Sequence, residues 1–234
     1  KKKIIENSDY ETLKRFYYDW YRPDLMAFIV VGDMDVDETE AKIKQHFSNL
    51  KQPDSPKPRS LYDVPDHDET LVTVATDKEC PVDVVQIFYK SDVEKDETYS
   101  DYRRMLINSL FTGMLNQRLS ELLEKPEPPF INAETYYGSL WARTKYAFQA
   151  SALVAENGIQ KGLQALFEEN LRVKKHGFTE GELDRYKKDM LRFYEKHYKE
   201  RDKTESSVYA SEYIRNFLED EPIPGIEFEY AFAV

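Results

Sequence analysis

Cysteine is nearly missing from this sequence. Cys80 is the single one among 234 residues, which excludes an intramolecular disulfide and any thiolate-rich metal site. Glu79 and Pro81 flank it, so no basic neighbour in sequence lowers its pKa, and a structural thiol is expected rather than a reactive one. Histidine is scarce too. His46, His67, His176 and His197 are scattered, and no pair has the spacing that would put both rings on one helical face. His176 and Glu180 are four apart, but Gly177 and Thr179 break the helix between them. No G-x-S-x-G elbow, glycine-rich phosphate loop or cysteine nucleophile with a partner is present. No apolar run approaches the roughly 20 residues that a membrane-spanning helix needs.

Positive charge is also in deficit. Asp and Glu number 44 against 33 Lys and Arg, a net charge of -11, so a nucleic-acid backbone would be repelled unless a local basic patch intervened. None stands out. Lys174, Lys175, Lys187, Lys188, Arg192 and Lys196 alternate with Glu182, Asp184, Asp189 and Glu195, the pattern of a solvated helical face laced with weak ion pairs. Paired carboxylates such as Glu168 with Glu169, or Glu219 with Asp220, read as helix surface. The chain opens Lys1, Lys2, Lys3, Ile4, Ile5 without an initiator methionine or signal-peptide core. That reads as an internal start and leaves cytoplasmic and periplasmic locations both open.

What is there is enough for a packed core: 41% apolar and 14% aromatic residues. Ser8 with Glu11 forms a capping box, followed by Leu13, Phe16, Tyr17 and Trp20 at helical spacing, with Pro23 as the stop. Residues 26–31 form a continuous apolar run, predicting a strand buried on both faces. A helix capped by Asp35 or Asp37 then runs to about Leu50. Residues 51–69, with Pro53, Pro56, Pro58 and Pro65, lose all hydrophobic period and read as an interdomain linker.

Beyond the linker, Leu71, Val72 and Val74 predict one strand and residues 82–89 a second, with a turn near Asp77 and Pro81. A long helix over about 96–124 carries the stripe Tyr102, Leu106, Leu110, Met114, Leu115, Leu119 and Leu122, with Gly113 admitting a close neighbour. Residues 131–141 and 145–155 read as a hairpin. Helices follow over about 158–175, 179–200 and 204–218, the second opened by a Thr179/Glu182 capping box. The fold class is therefore α+β: a two-layer sandwich of a four-stranded, mainly antiparallel sheet with helices on one side. It is preceded by a partial helix-strand-helix piece of a similar domain. The expected division is 1–50 for the end of a truncated domain, 51–69 for the linker and 70–234 for a second α+β domain.

Phe16, Tyr17, Trp20, Tyr21, Arg22, Pro23, Asp24 and Met26, running into Val30, Val31, Gly32 and Asp33, resemble the pitrilysin/insulinase family of inverzincin zinc peptidases. There a similar run, closed by a phenylalanine that Phe47 would match, ends the first domain. Leu115, Asn116, Gln117, Arg118, Leu119 and His176, Gly177, Phe178, Thr179, Glu182, Leu183 resemble its second domain, in the expected order. The family's H-x-x-E-H signature, two zinc-binding histidines around a catalytic base, is absent. The resemblance thus implies an internal, non-catalytic piece. It would hold no cofactor, with zinc bound elsewhere in the parent, and would form part of the wall of the substrate-enclosing chamber. Its partners would be the remaining domains and peptide substrate, with no nucleic acid and no membrane span. The alternative is a piece of an inactive relative that serves as a scaffold or processing-complex subunit.

Some peptidases of this family also hold the free end of a long substrate on a sheet edge away from the zinc. The resemblance puts that exosite strand at Ile131, Asn132, Ala133, Glu134, Thr135, Tyr136, Tyr137 and Gly138. Strand addition works through main-chain hydrogen bonds and tolerates many sequences, Gly138 permits close backbone approach, and Tyr136 or Tyr137 can pack a side chain.

Overall fold

A computed structural model describes residues 2–140 and 142–234. The chain divides into two compact units. The first runs through Ser60 and includes Glu200–Pro224, and the second comprises Leu61–Lys199 and Gly225–Val234.

The first unit contains helices α1 (Lys2–Glu6), α2 (Tyr10–Trp20), α3 (Val36–Phe47) and α7 (Ser206–Glu219). Helix α2 is opened by Asp9, whose carboxylate accepts from the amides of Glu11 and Thr12 at 3.2 Å. The Ser8/Glu11 capping box does not form: Ser8 lies one residue too early and its hydroxyl donates to the Ile5 carbonyl. Asp35 caps α3 through the Glu38 amide at 2.8 Å. In residues 26–31 Met26 has an extended backbone, but the run forms no strand and pairs with no described strand. The expected two-faced burial fails, with Phe28 61% exposed and its ring resting on Phe47 at 5.0 Å. A strand is buried on both faces only when neighbouring strands and covering helices are present.

The second unit holds a three-stranded antiparallel sheet in the order β1-β3-β2, formed by β1 (Asp83–Asp92), β2 (Asn132–Ser139) and β3 (Lys145–Val154). The first limb of the predicted hairpin was to reach Trp141, which lies outside the described residues. The expected fourth strand at Leu71, Val72 and Val74 does not form; Val72 and Val74 are 83% exposed. Val72 and Val74 would share one face of a strand, but no described strand pairs with the segment, so nothing fixes a register. The segment before β1 is instead tied down by two lysines. Lys90 donates to the Pro65 carbonyl, and Lys145 pairs with Asp66 at 2.9 Å and Asp92 at 2.7 Å.

One face of this sheet is covered by α4 (Tyr99–Leu123) and α5 (Ile159–His176). Val85, Ala150, Ala152 and Val154 pack against Leu119, Phe130 and Leu166; each fully buried leucine contributes about 1.5–3 kcal/mol. The period of two in β3 places Phe148, Ala150, Ala152 and Val154 on the inner face, where small alanines let the helices approach. Gly113 of α4 makes room for Tyr186, since a Cβ there would lie 1.8 Å from its ring. Helix α6 (Glu180–Lys199) opens with the Thr179/Glu182 capping box. Helix α8 (Ile226–Ala233), which the sequence pattern did not predict, stacks Tyr230 on Tyr198 at 4.9 Å and sets Phe232 against Tyr102 at 5.2 Å. Cys80 is an exposed free thiol. Among the described residues no helix is long and apolar enough to cross a membrane.

Candidate functional site

The residues expected to form an exosite fall on one element. Asn132, Ala133, Glu134, Thr135, Tyr136, Tyr137 and Gly138 lie in β2, and Ile131 immediately precedes it and donates its N–H to the Leu153 carbonyl at 2.7 Å. The β-branched and aromatic residues Thr135, Tyr136 and Tyr137 favour the pleated conformation. Among the described residues β2 pairs with β3 alone, so it is a sheet edge. Ala133, Thr135 and Tyr137 stand opposite Ala152, Ala150 and Phe148 on the helix-covered face, while Asn132, Glu134, Tyr136 and Gly138 take the other.

The edge is not bare. Thr135 is 5% exposed; its N–H donates to Asn116 Oδ1 at 2.6 Å, and its carbonyl accepts from Asn116 Nδ2 at 3.0 Å. Its hydroxyl also donates to Asn116 Oδ1 at 2.8 Å. Both main-chain groups of Thr135 therefore turn away from β3. By the strand's period of two, those of Ala133 and Tyr137 do the same. Tyr137 is fixed at its other end: its hydroxyl donates to Glu94 at 2.7 Å, and Glu94 accepts from Arg104 of α4 at 2.8 Å. Burial raises the Tyr137 phenol pKa, and the bond to Glu94 adds to the rise.

Gly138 has φ of 149°, in the region that favours glycine, and a Cβ there would lie 2.7 Å from the Tyr136 hydroxyl. The close approach that Gly138 allows is thus taken by the chain's own tyrosine. Nearby, Leu123, Phe130, Ile131, Gly158 and Lys161 line a groove at the start of β2.

A buried charge centre lies behind this edge, on the same helix. Arg118 of α4, 7% exposed, forks onto Glu182 of α6 at 2.5 and 2.9 Å, reaches Glu169 of α5 at 3.2 Å and donates to the Gly177 carbonyl at 3.1 Å. Its guanidinium also sits 4.8 Å over the Phe178 ring. The Arg118 hydrogen bonds, helped by those from Thr179, hold the Glu182 carboxyl down at about 2. Sequence reasoning did not single out this role, although a signal existed: Arg118 interrupts the stripe Leu115, Leu119, Leu122 at a position that should be apolar.

The histidines stay apart. His46 is in α3, His67 in the segment before β1, His176 at the end of α5 and His197 in α6. Among the described residues no group of three or more His, Cys, Asp or Glu could hold a metal ion. The donor set of the described residues therefore does not fit a zinc site.

The profile of the Peptidase M16 inactive domain matches residues 7–190. This chain belongs to the M16 peptidase family. It is similar to the Zinc protease PQQL-like of Arabidopsis thaliana, 33% identical over 228 residues, covering 97% of this chain and 21% of that protein. The Probable zinc protease PqqL of Escherichia coli K12 is 27% identical over 179 residues, covering 76% and 19% respectively. The chain thus spans about a fifth of the length of the curated relatives it matches.

Among solved structures, the periplasmic protease PqqL from Escherichia coli superposes with a TM-score of 0.80 at 22% identity, covering 97% of this chain and 25% of that one. An insulinase family protease from Yersinia pestis gives 0.75 at 18% identity, covering 97% and 48%. Those likenesses establish the insulinase-type α+β fold, with a sheet of three strands here rather than the four expected from sequence.

Proposed function

We propose that this chain is a non-catalytic, peptide-holding part of a zinc-dependent metalloendopeptidase, forming one wall of the chamber in which the parent hydrolyses peptides. Zinc and its ligands are then held elsewhere in the parent. The relatives named zinc proteases support that zinc, and the donor geometry of this chain argues for its being elsewhere. In this reading residues 1–50 close one domain, 51–69 link, and 70–234 form the second, following family order. The remaining domains of the parent cover Phe16, Phe28 and the other exposed apolar side chains of the first unit.

The observation that carries the peptide-holding role is the edge position of β2, with its outward main-chain groups at Ala133 and Tyr137. An extended peptide adding there gains main-chain hydrogen bonds regardless of its sequence, which suits an enzyme acting on varied substrates. To test it, the chain is titrated with an unstructured, proline-free peptide while the backbone amides of residues 131–138 are followed by NMR. Shifts confined to that strand, weakened by Ala133→Pro, are expected, because proline removes one outward donor and is tolerated on an edge. No shift at millimolar peptide would overturn the exosite. A fragment of an inactive scaffold relative would bind in the same assay, but its full-length parent would show no peptide hydrolysis sensitive to chelation.

A further inference from the structure

We propose that Asn116 is a gate on the β2 edge, an internal competitor that an incoming strand must displace. The inference rests on strand addition at β2 and concerns how that site is regulated. A carboxamide carries one carbonyl acceptor and one N–H donor face in a plane, the same pair that a peptide group presents. Asn116 uses both on the same residue: Oδ1 takes the Thr135 N–H at 2.6 Å and Nδ2 donates to the Thr135 carbonyl at 3.0 Å. A bound strand would offer Thr135 those same two bonds. The side chain therefore occupies, as a single-residue mimic, the middle one of the three outward pairs of β2.

The arrangement is a gate rather than a wall because of where it is anchored. Leu115 and Leu119, on either side of Asn116, are fully buried at 0% and 1% exposure, so the backbone of α4 stays in place. Turning the two side-chain torsions of Asn116 frees the Thr135 main-chain groups, while the Thr135 hydroxyl still has the Thr112 carbonyl within 3.5 Å. Among the described residues the Asn116 side chain bonds only Thr135, so a peptide can first engage Ala133 or Tyr137 and then compete at the centre. Tyr137, held through its hydroxyl by Glu94 at 2.7 Å, keeps that end of the strand extended while exchange occurs. The closed gate also protects an edge that would otherwise be a template for self-association.

The test compares the whole chain with Asn116→Ala and Asn116→Leu, the leucine variant keeping the side-chain volume without its hydrogen bonds. Each is titrated with a synthetic, unstructured twelve-residue Ser/Thr/Val peptide, read by backbone and side-chain amide NMR. Removing two competing bonds is expected to tighten peptide binding about tenfold. In the unsubstituted chain the Asn116 side-chain amide resonances move to solvent-like positions as the peptide saturates. If the unsubstituted chain binds and both folded variants bind no more tightly, Asn116 is a fixed cover and the gate is wrong. If none of the three binds, strand addition itself fails, and the gate with it. Should Asn116→Ala lose its dispersed spectrum, the leucine variant and the resonance movement in the unsubstituted chain still decide.

Discussion

Residues 26–31 are a continuous apolar run and residues 82–89 an apolar-rich one, interrupted by Asp83 and Gln86. The second runs as β1 beside β3, with Val85 and Ile87 packed into the core under α5. The first forms no strand, pairs with no described strand and leaves Met26, Phe28 and Val30 exposed. The same contrast holds between the two units. Among the described residues of the first, only Arg22 is buried; it is held by Asp24 at 2.9 Å and by the carbonyls of Asp19 and Lys57. The second has a contiguous apolar core. Local composition decides that a segment is extended, but neighbours decide whether it contributes stability.

The strongest way to break this comparison is to attack the second unit at the buried Arg118 charge centre. Arg118→Ala strands Glu169 and Glu182, whose side chains are 7% and 15% exposed. The expected cost is about 3–5 kcal/mol of stability, the usual penalty for removing one partner of a buried pair. Urea unfolding followed by circular dichroism measures it. A loss below about 1 kcal/mol would mean that water already serves these carboxylates.

A smaller effect comes from acid. Glu182 is depressed from its ordinary 4.5 to about 2 by Arg118, and Asp101 from 3.8 to about 2, chiefly by the Thr98 hydroxyl. Groups with a folded pKa below the unfolded one give stability that is complete above the unfolded pKa and is lost as pH falls through the folded pKa. Stability of the second unit should therefore decline between about pH 4.5 and 2. In Arg118→Ala the decline should be shallower, because the guanidinium that holds the Glu182 carboxyl down is gone. An unchanged acid profile in that variant would contradict the assignment.

Much of this was legible in the sequence because it depends on neighbours close along the chain. The Thr179/Glu182 box, the α4 stripe and the β2/β3 hairpin need only local spacing, and all three stand. What was missed depends on distant partners. Leu71, Val72 and Val74 are strand-forming residues, but no neighbouring strand receives them, so among the described residues the sheet has three strands. The site was legible as a strand and not as an environment. The sequence placed Thr135 and Gly138 on an edge, but it could not show that Asn116 closes the first or that the Tyr136 ring fills the space over the second. Arg118 was visible as a charge in an apolar stripe; its partners, 51 and 64 residues away, were not.

Native-state hydrogen exchange across the whole chain tests the central contrast most directly. Amides of β3, α4 and α5, and those of β1 that bond to β3, are predicted to exchange only through global unfolding, because they belong to one packed core. Amides of residues 26–31, with no ladder partner among the described residues, are predicted to exchange at close to unprotected rates. Equal protection in residues 26–31 and in β1 would contradict the account, since an apolar run without strand neighbours would then be as stable as one with them.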